Sequence, residues 1–164
     1  MIRQFVPSDF CLKCLGCCRF KDAESVWSPC LLEEEAISLV DREGIPAASI
    51  SIDRRLNLVT ENNGESFLCP FLKSADNHCQ IYHLRPFECQ LYPFLLSIRD
   101  KKVLLTVDLK CPYIQGKINS EEFKEYVNYL TQHLNSPKQL ALLKSNPQIL
   151  QAYEDVLDVV ELES

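Results

Sequence analysis

The feature that most constrains the fold of this chain is a dense run of four cysteines, Cys11-Leu-Lys-Cys14-Leu-Gly-Cys17-Cys18. Three cysteines at C-x2-C-x2-C spacing can converge on one inorganic core, because the short loop turns its backbone amides inward toward the sulfurs. Cys17 and Cys18 are adjacent, and adjacent side chains of an extended or irregular backbone tend to point apart. The run therefore predicts a metal-binding loop whose last two cysteines serve two nearby centres or two corners of one large cluster.

The compartment decides what the thiols can be. The chain has nine cysteines in 164 residues, an odd number that suits a disulfide framework poorly. Residues 1–10 contain no apolar stretch of the kind that a secretory signal requires. We therefore expect a cytoplasmic protein, and in a reducing cytosol structural disulfides do not persist. Metal ligation or redox chemistry is the expected role of the cysteines.

The cysteine count favours iron–sulfur clusters. Ferredoxins complete a cluster with a remote cysteine that precedes proline, and this chain has two such pairs, Cys69-Pro70 and Cys111-Pro112. Eight thiolates are what two [4Fe–4S] clusters require. The ninth cysteine, Cys30, is expected inside a helix as a small buried apolar residue. The predicted cofactor-binding residues are Cys11, Cys14, Cys17, Cys18, Cys69, Cys79, Cys89 and Cys111.

Zinc is the alternative metal. Structural Zn²⁺ sites pair two short cysteine or histidine knuckles, whereas the later cysteines of this chain stand alone in the sequence. His78 and His83 flank Cys79 and are further candidate ligands, because histidine can replace cysteine on iron. The spacing favours iron–sulfur clusters and leaves Zn²⁺ open.

Regular elements are predicted on both sides of the cysteine-rich loops. Ser28-Pro29 is expected to start a helix that runs to about Arg42, with acidic residues in its first turns. Residues 55–69 form a predicted hairpin that turns at Asn62-Asn63-Gly64. Residues 94–107 form a second hairpin, which turns at 99–102.

The tail after Cys111-Pro112 is predicted to be helical. Ser120 is an expected N-cap, followed by Phe123, Val127, Leu130 and Leu134 at helical spacing. Two further helices are predicted to start at Ser136-Pro137 and at Asn146-Pro147, the last of them running toward residue 158.

These elements predict an α+β fold. We expect a small antiparallel sheet of two hairpins, irregular cysteine-rich loops and a helical C-terminal cover. Residues 1–164 are expected to form one domain, in which 1–116 bind the cofactor and 117–164 pack on that part as a helical tail.

The charge distribution limits the expected partners. The net charge is −6, and the basic residues form no stripe, so we expect no binding to nucleic acid or to membranes. A redox partner or a protein that receives a cluster is expected instead. A homodimer that shields a cluster near the surface is a further expectation.

The order of the motifs resembles that of the CxxCxxCC family. The residues that carry the resemblance are Cys11-x2-Cys14-x2-Cys17-Cys18, Cys69-Pro70-Phe71-Leu72, Cys79-Gln-Ile81-Tyr82, Arg85-Pro86-x2-Cys89-x2-Tyr92-Pro93-Phe94 and Cys111-Pro112. The resemblance implies a zinc- or iron-chelating, or iron–sulfur-cluster-containing, protein whose eight motif cysteines bind metal. The cysteine motif is also similar to that of flagellin lysine methylase, which implies methyl transfer as an alternative.

Three aromatic or basic side chains are predicted to surround the ligands. Arg85 can donate hydrogen bonds to cluster sulfur, and Tyr82 and Tyr92 contribute to a dry shell around the site. The chain has only four glycines and no dinucleotide-binding glycine motif. We therefore expect an electron-transfer protein or a cluster scaffold. The alternatives are an iron–sulfur oxidoreductase or methyltransferase, and a zinc-stabilised interaction module.

Overall fold

Short strands and helices alternate along the chain in the computed structural model, which describes residues 2–14, 16–61 and 64–163. The α+β prediction is confirmed. The elements belong to two units: Pro7–Gln90, which we call the cysteine-rich unit, and the described parts of Met1–Val6 with Leu91–Ser164, which we call the C-terminal unit. The expectation of a single 164-residue domain stays a prediction, and the units do not divide at residue 116.

The cysteine-rich unit is built from very short elements. Strands β1, β3 and β2 form one antiparallel sheet in that order, and β4 pairs with β5 in a second. Tyr82–Leu84 forms a 3-10 turn. The elements are α1 (Ser8–Cys11), β1 (Arg19–Phe20), α2 (Glu33–Asp41), β2 (Val59–Thr60), β3 (Phe67–Leu68), β4 (Leu72–Lys73), β5 (His78–Cys79) and α3 (Phe87–Leu91), whose last residue belongs to the C-terminal unit.

The predicted hairpin at 55–69 is present as β2 and β3. Val59 lies opposite Leu68, and Thr60 lies opposite Phe67. Asn62 and Asn63 of the predicted turn lie outside the described residues. Gly64 has a φ of +73°, a left-handed conformation that favours glycine.

The helix predicted from Ser28-Pro29 begins later, at Glu33. The amide of Leu31 donates to the carbonyl of Arg54 at 2.8 Å, and the amide of Leu56 donates to the carbonyl of Pro29 at 3.0 Å. This extended pairing uses the backbone groups that a helix would need, and it buries Leu31 completely. The predicted helical position of Cys30 was therefore wrong, while the acidic first turn is confirmed.

The C-terminal unit contains a sheet with longer strands and three of the six described α-helices. Strands β6, β7 and β8 form one antiparallel sheet in that order. The elements are β6 (Phe94–Arg99), β7 (Lys102–Val107), α4 (Pro112–Gln115), α5 (Glu121–Leu134), α6 (Pro137–Ser145) and β8 (Leu157–Glu161).

The β6–β7 hairpin confirms the second predicted hairpin. Asp100 and Lys101 both have positive φ, +49° and +67°, which is the backbone of a two-residue turn that matches the twist of paired strands. In α5, Ser120 Oγ accepts a hydrogen bond from the amide of Phe123 at 3.1 Å, so the predicted N-cap is also confirmed.

The helix predicted from Asn146 toward residue 158 is absent from the described tail. Pro147–Ile149 forms a single 3-10 turn, and Leu157–Glu161 forms β8. β8 pairs with the free edge of β7, where Val160 lies opposite Leu105. The two hairpins also belong to separate sheets, so the expected single sheet was wrong.

An aromatic cluster forms the core of the C-terminal unit. Phe94 stacks on Phe123 with 5.6 Å between ring centroids, and Phe5 meets Phe94 edge-on at 5.9 Å. In α5, Tyr126 is buried in this cluster, whereas Val127, which was predicted as one of the apolar positions of the helix, is only half-buried. No helix in the described ranges is long and apolar enough to cross a membrane.

Candidate metal centre

The first two cysteines lie where α1 ends. The Pro7 carbonyl accepts hydrogen bonds from the amides of Phe10 and Cys11, at 3.1 Å each, and the amide of Cys14 donates to the Cys11 carbonyl at 3.0 Å. Both cysteines are half-buried. A Cβ atom on Gly16 would lie 3.4 Å from Sγ of Cys14. A larger residue at this position would therefore lie in contact with that sulfur.

Cys17 and Cys18 lie in a turn closed by a hydrogen bond of 3.1 Å from the amide of Arg19 to the carbonyl of Gly16. The Cys17 and Cys18 side chains are hydrogen-bonded to each other, although Cys17 as a residue remains exposed. The prediction that they point apart was wrong, because a turn lacks the alternation of side chains that an extended strand has.

Four cysteines from separate segments come together in the cysteine-rich unit. Cys17 lies in the N-terminal turn, Cys69 follows β3, Cys79 is in β5 and Cys89 is in α3. Every pair among the four interacts electrostatically. The Cys69 amide also donates to the Cys18 carbonyl at 3.0 Å, which ties β3 to the N-terminal turn. We call these four residues the thiol group.

The thiol group lies at the edge of an apolar core. Cys69 is part of that core, and Cys79 and Cys18 pack against it. Burial, with weaker repulsion from Cys79 and Cys17, raises the pKa of Cys69 to about 11. Burial is also the main cause that raises the pKa of Cys79 and of Cys89, whereas the contact with Cys18 is the main cause for Cys17. Four neighbouring thiolates thus require a compensating positive charge.

Arg85 supplies part of that positive charge. Its guanidinium acts to lower the pKa of Cys17 and of Cys79 against the larger effects that raise them. The guanidinium carbon lies 3.9 Å from the ring centroid of Tyr82, and Nε donates to the Tyr82 carbonyl at 3.0 Å. The Tyr82 hydroxyl in turn donates to Ser8 Oγ at 2.6 Å. Stacking and hydrogen bonding together orient the guanidinium.

Cys111 belongs to the C-terminal unit, where it is buried. Its amide donates to the Asp108 carbonyl at 3.2 Å, and the Asp108 carboxylate accepts from the Lys110 amide and from the Tyr92 hydroxyl, both at 2.9 Å. The predicted Tyr92 thus helps to hold the turn that carries Cys111. Asp108 was not predicted, because its sequence neighbours do not mark it as a positioning residue.

Cys30 lies outside the thiol group. Its amide donates to Glu88 Oε2 at 2.7 Å, and its sulfur contacts the Asp53 carbonyl at 3.6 Å. Burial, with repulsion from Glu88, raises the pKa of Cys30 to about 11. The expectation that Cys30 is a small buried residue is confirmed, although it is not in a helix.

Glu35 connects α2 to the helix that carries Cys89. One carboxylate oxygen accepts from the amide of Leu32 at 2.9 Å, and the other accepts from the amide of Phe87 at 2.7 Å. Burial raises the pKa of Glu35 from 4.5 to about 7, despite these two hydrogen bonds. No periodicity in the sequence distinguishes Glu35 from Glu33 and Glu34, so its role depends on the tertiary packing.

We expect Glu35→Gln to flatten the pH dependence of stability. The folded wild type binds the Glu35 proton more tightly than the unfolded chain, so its free energy of unfolding falls as pH rises from 4.5 to about 7. The total fall is about 3 kcal/mol, and the glutamine variant lacks it. Urea unfolding at pH 5, 6, 7 and 8 measures both slopes. Equal slopes in the two proteins would contradict the prediction, and Glu125→Gln, at an exposed position of α5, serves as the control.

The donor chemistry of the thiol group fits a thiolate-bound metal. Soft sulfur donors are the ligands that zinc and iron–sulfur clusters share. Metal binding removes the thiol protons, so a metal cation would compensate the charge of the four buried sulfurs. Within the described residues, no three His, Cys, Asp or Glu side chains are placed to hold a single metal ion.

The fold and the gathered thiols define a cysteine-rich α+β protein. The chain belongs to the CxxCxxCC family: the family model described as "Putative zinc- or iron-chelating domain" matches residues 10–126. The chain is also similar to the uncharacterized protein MJ0661 of Methanocaldococcus jannaschii, with 35% identity over 63 aligned residues; the match covers 34% of this chain. The chain thus spans about a third (35%) of that relative's length. No solved structure matches the chain.

Proposed function

We propose that this protein is an iron–sulfur protein and that Cys17, Cys69, Cys79 and Cys89 bind one [4Fe–4S] cluster. The observation that carries the proposal is the convergence of these four thiols, which affect one another's pKa, at the edge of the apolar core that contains Cys69. Four thiolates are the ligand set of such a cluster. The apolar core beside Cys69 and Cys79 excludes water from one side of the site, which slows hydrolytic loss of a cluster.

A second cluster stays a prediction from the sequence, because eight motif cysteines are what two four-iron clusters require. The C-x2-C spacing of Cys11 and Cys14 supports this prediction, because cluster-binding loops use that spacing. With two clusters bound, the protein can store and pass on single electrons. The partner would then be a redox protein or a protein that receives a cluster.

Arg85 is proposed to tune the cluster at the thiol group. A guanidinium close to Cys17 and Cys79 stabilises negative charge on their sulfurs, and a cluster gains one negative charge on reduction. Arg85 therefore favours the reduced state and raises the reduction potential. Tyr82 holds the guanidinium in place through the stacking contact.

Zinc is the second candidate, because the matching family is described as zinc- or iron-chelating and thiolate is a ligand that Zn²⁺ prefers. In that case the metal would contribute folding energy alone, and the protein would be an interaction module. Methyl transfer and other enzymatic roles stay predictions from the motif resemblance.

Metal analysis tests the proposal. We expect protein purified without oxygen to contain about eight iron and about eight acid-labile sulfide per chain, with Mössbauer spectra of two four-iron clusters on iron-57 material. About four of each would restrict the proposal to the thiol group. Stoichiometric zinc without sulfide would overturn the iron–sulfur proposal and support the interaction module.

A further inference from the structure

Asn77 makes three contacts with the N-terminal cysteine run, although it is not a cysteine-motif residue. It lies in the β4–β5 turn with a φ of +59°. Its Nδ2 donates to the carbonyl of Leu12 at 3.2 Å and to the carbonyl of Cys14 at 2.5 Å. Its Oδ1 accepts a hydrogen bond from Arg19 Nη1 at 2.7 Å.

These three hydrogen bonds hold both sides of the cysteine run. Leu12 and Cys14 lie before Cys17, whereas Arg19 directly follows Cys18. Asn77 itself is two residues from Cys79, a member of the thiol group. One side chain therefore joins segments that together carry Cys14, Cys17, Cys18 and Cys79. We call Asn77 and Arg19 the asparagine clamp.

The chemistry of the clamp requires asparagine. Its amide group has two N–H donors and one carbonyl acceptor, and the three observed contacts use both kinds. Aspartate has no N–H to offer the two carbonyls. Glycine would accept the positive φ but lacks the amide, and most other residues would be strained in this conformation.

We propose that Asn77 and Arg19 are positioning residues of the metal centre, and that they determine how slowly bound metal is lost. The inference rests on the proposed metal-binding function. The clamp holds Cys14, Cys17 and Cys18 beside the hairpin that carries Cys79. Without it the ligands would separate more often, and a competing chelator would reach the metal sooner. None of the three hydrogen bonds of the clamp involves a thiol, so the clamp acts through the backbone that carries the ligands.

The test is the rate of metal loss from the loaded full-length protein to a chelator. For Asn77→Gly, which keeps the positive φ and removes all three hydrogen bonds, we expect loss of iron to an excess of a ferrous chelator to be about tenfold faster than in wild type. Arg19→Met removes one of the three bonds, because methionine has no N–H to donate, and should show a smaller increase; it also covers the case in which Asn77→Gly does not fold. Asp100→Gly is the matched control, because Asp100 also has positive φ and lies in the β6–β7 turn of the other unit.

The outcomes separate positioning from general destabilisation. The inference is supported if Asn77→Gly loses metal faster while its thermal midpoint stays within about 5 °C of wild type and Asp100→Gly behaves like wild type. It is overturned if Asn77→Gly releases metal at the wild-type rate, if Asp100→Gly releases it equally fast, or if the faster release accompanies a larger fall of the midpoint. If wild type contains zinc without sulfide, the iron–sulfur proposal fails, and the same comparison with a zinc chelator still tests the clamp.

Discussion

Replacing Cys69 by serine is expected to remove about four iron and about four sulfide per chain, half of the proposed content. Cys69 is buried and interacts with each of the other three members of the thiol group. A serine hydroxyl is a harder and far less acidic donor than a thiol, so it replaces a thiolate on iron poorly. Iron and sulfide analysis, with the visible absorption spectrum, measures the loss.

Cys30→Ser is the matched control for Cys69→Ser. Cys30 is also buried, but its sulfur contacts the Asp53 carbonyl, and a serine hydroxyl can donate to that carbonyl. The control is therefore expected to keep the wild-type iron and sulfide content. Full iron content in Cys69→Ser, or an equal loss in both variants, would contradict the assignment of Cys69 to the thiol group.

Phe94→Ala is expected to lower the free energy of unfolding by about 4 kcal/mol. The Phe94 ring is fully buried in the C-terminal unit and contacts Phe5, Phe123 and Tyr126, with centroid distances of 5.2–5.9 Å. The alanine variant loses the transfer free energy of the ring, leaves a cavity and removes three aromatic pairs.

Urea unfolding followed by circular dichroism measures this loss. Ile52→Ala is the matched control, because the Ile52 side chain is 98% exposed, and we expect it to change stability by less than about 0.5 kcal/mol. A loss below about 1.5 kcal/mol for Phe94→Ala would show that the aromatic cluster relaxes around the missing ring.

The parts of the fold that the sequence predicted correctly depend on local physics. The β6–β7 hairpin has two apolar runs separated by a polar turn, so its pairing can be read within 14 residues, from Phe94 to Val107. Ser120 caps α5 by accepting a hydrogen bond from the amide of Phe123, which is only three residues later in the chain. In both cases the interacting groups are close in the chain, and the pattern alone identifies them.

The parts that the sequence predicted wrongly depend on distant partners. Cys30 and Leu31 follow a Ser-Pro pair that normally starts a helix, but pairing with Arg54 and Arg55 holds them extended. β8 forms because β7 offers it an open edge about 50 residues earlier in the chain. In both cases the pairing partner lies too far away in the chain to be recognised from neighbouring residues. The local residues favour a helix, so a helix was predicted in both places.

The candidate site likewise has features that the sequence predicts and features that depend on distant partners. The sequence by itself determined that the chain is rich in thiol ligands and that their spacing suits a metal or cluster. It also determined that Arg85 and Tyr82 accompany these ligands. Residue chemistry and short spacing are properties of the chain alone, so no tertiary contact is needed to recognise them. Only the tertiary structure decided that Cys17, Cys69, Cys79 and Cys89 gather with Arg85, while the Cys30 sulfur contacts the Asp53 carbonyl. It also decided that Asn77 reaches across 63 residues to Cys14. Such contacts arise when separate segments bury a common core, and no spacing rule within one segment encodes them.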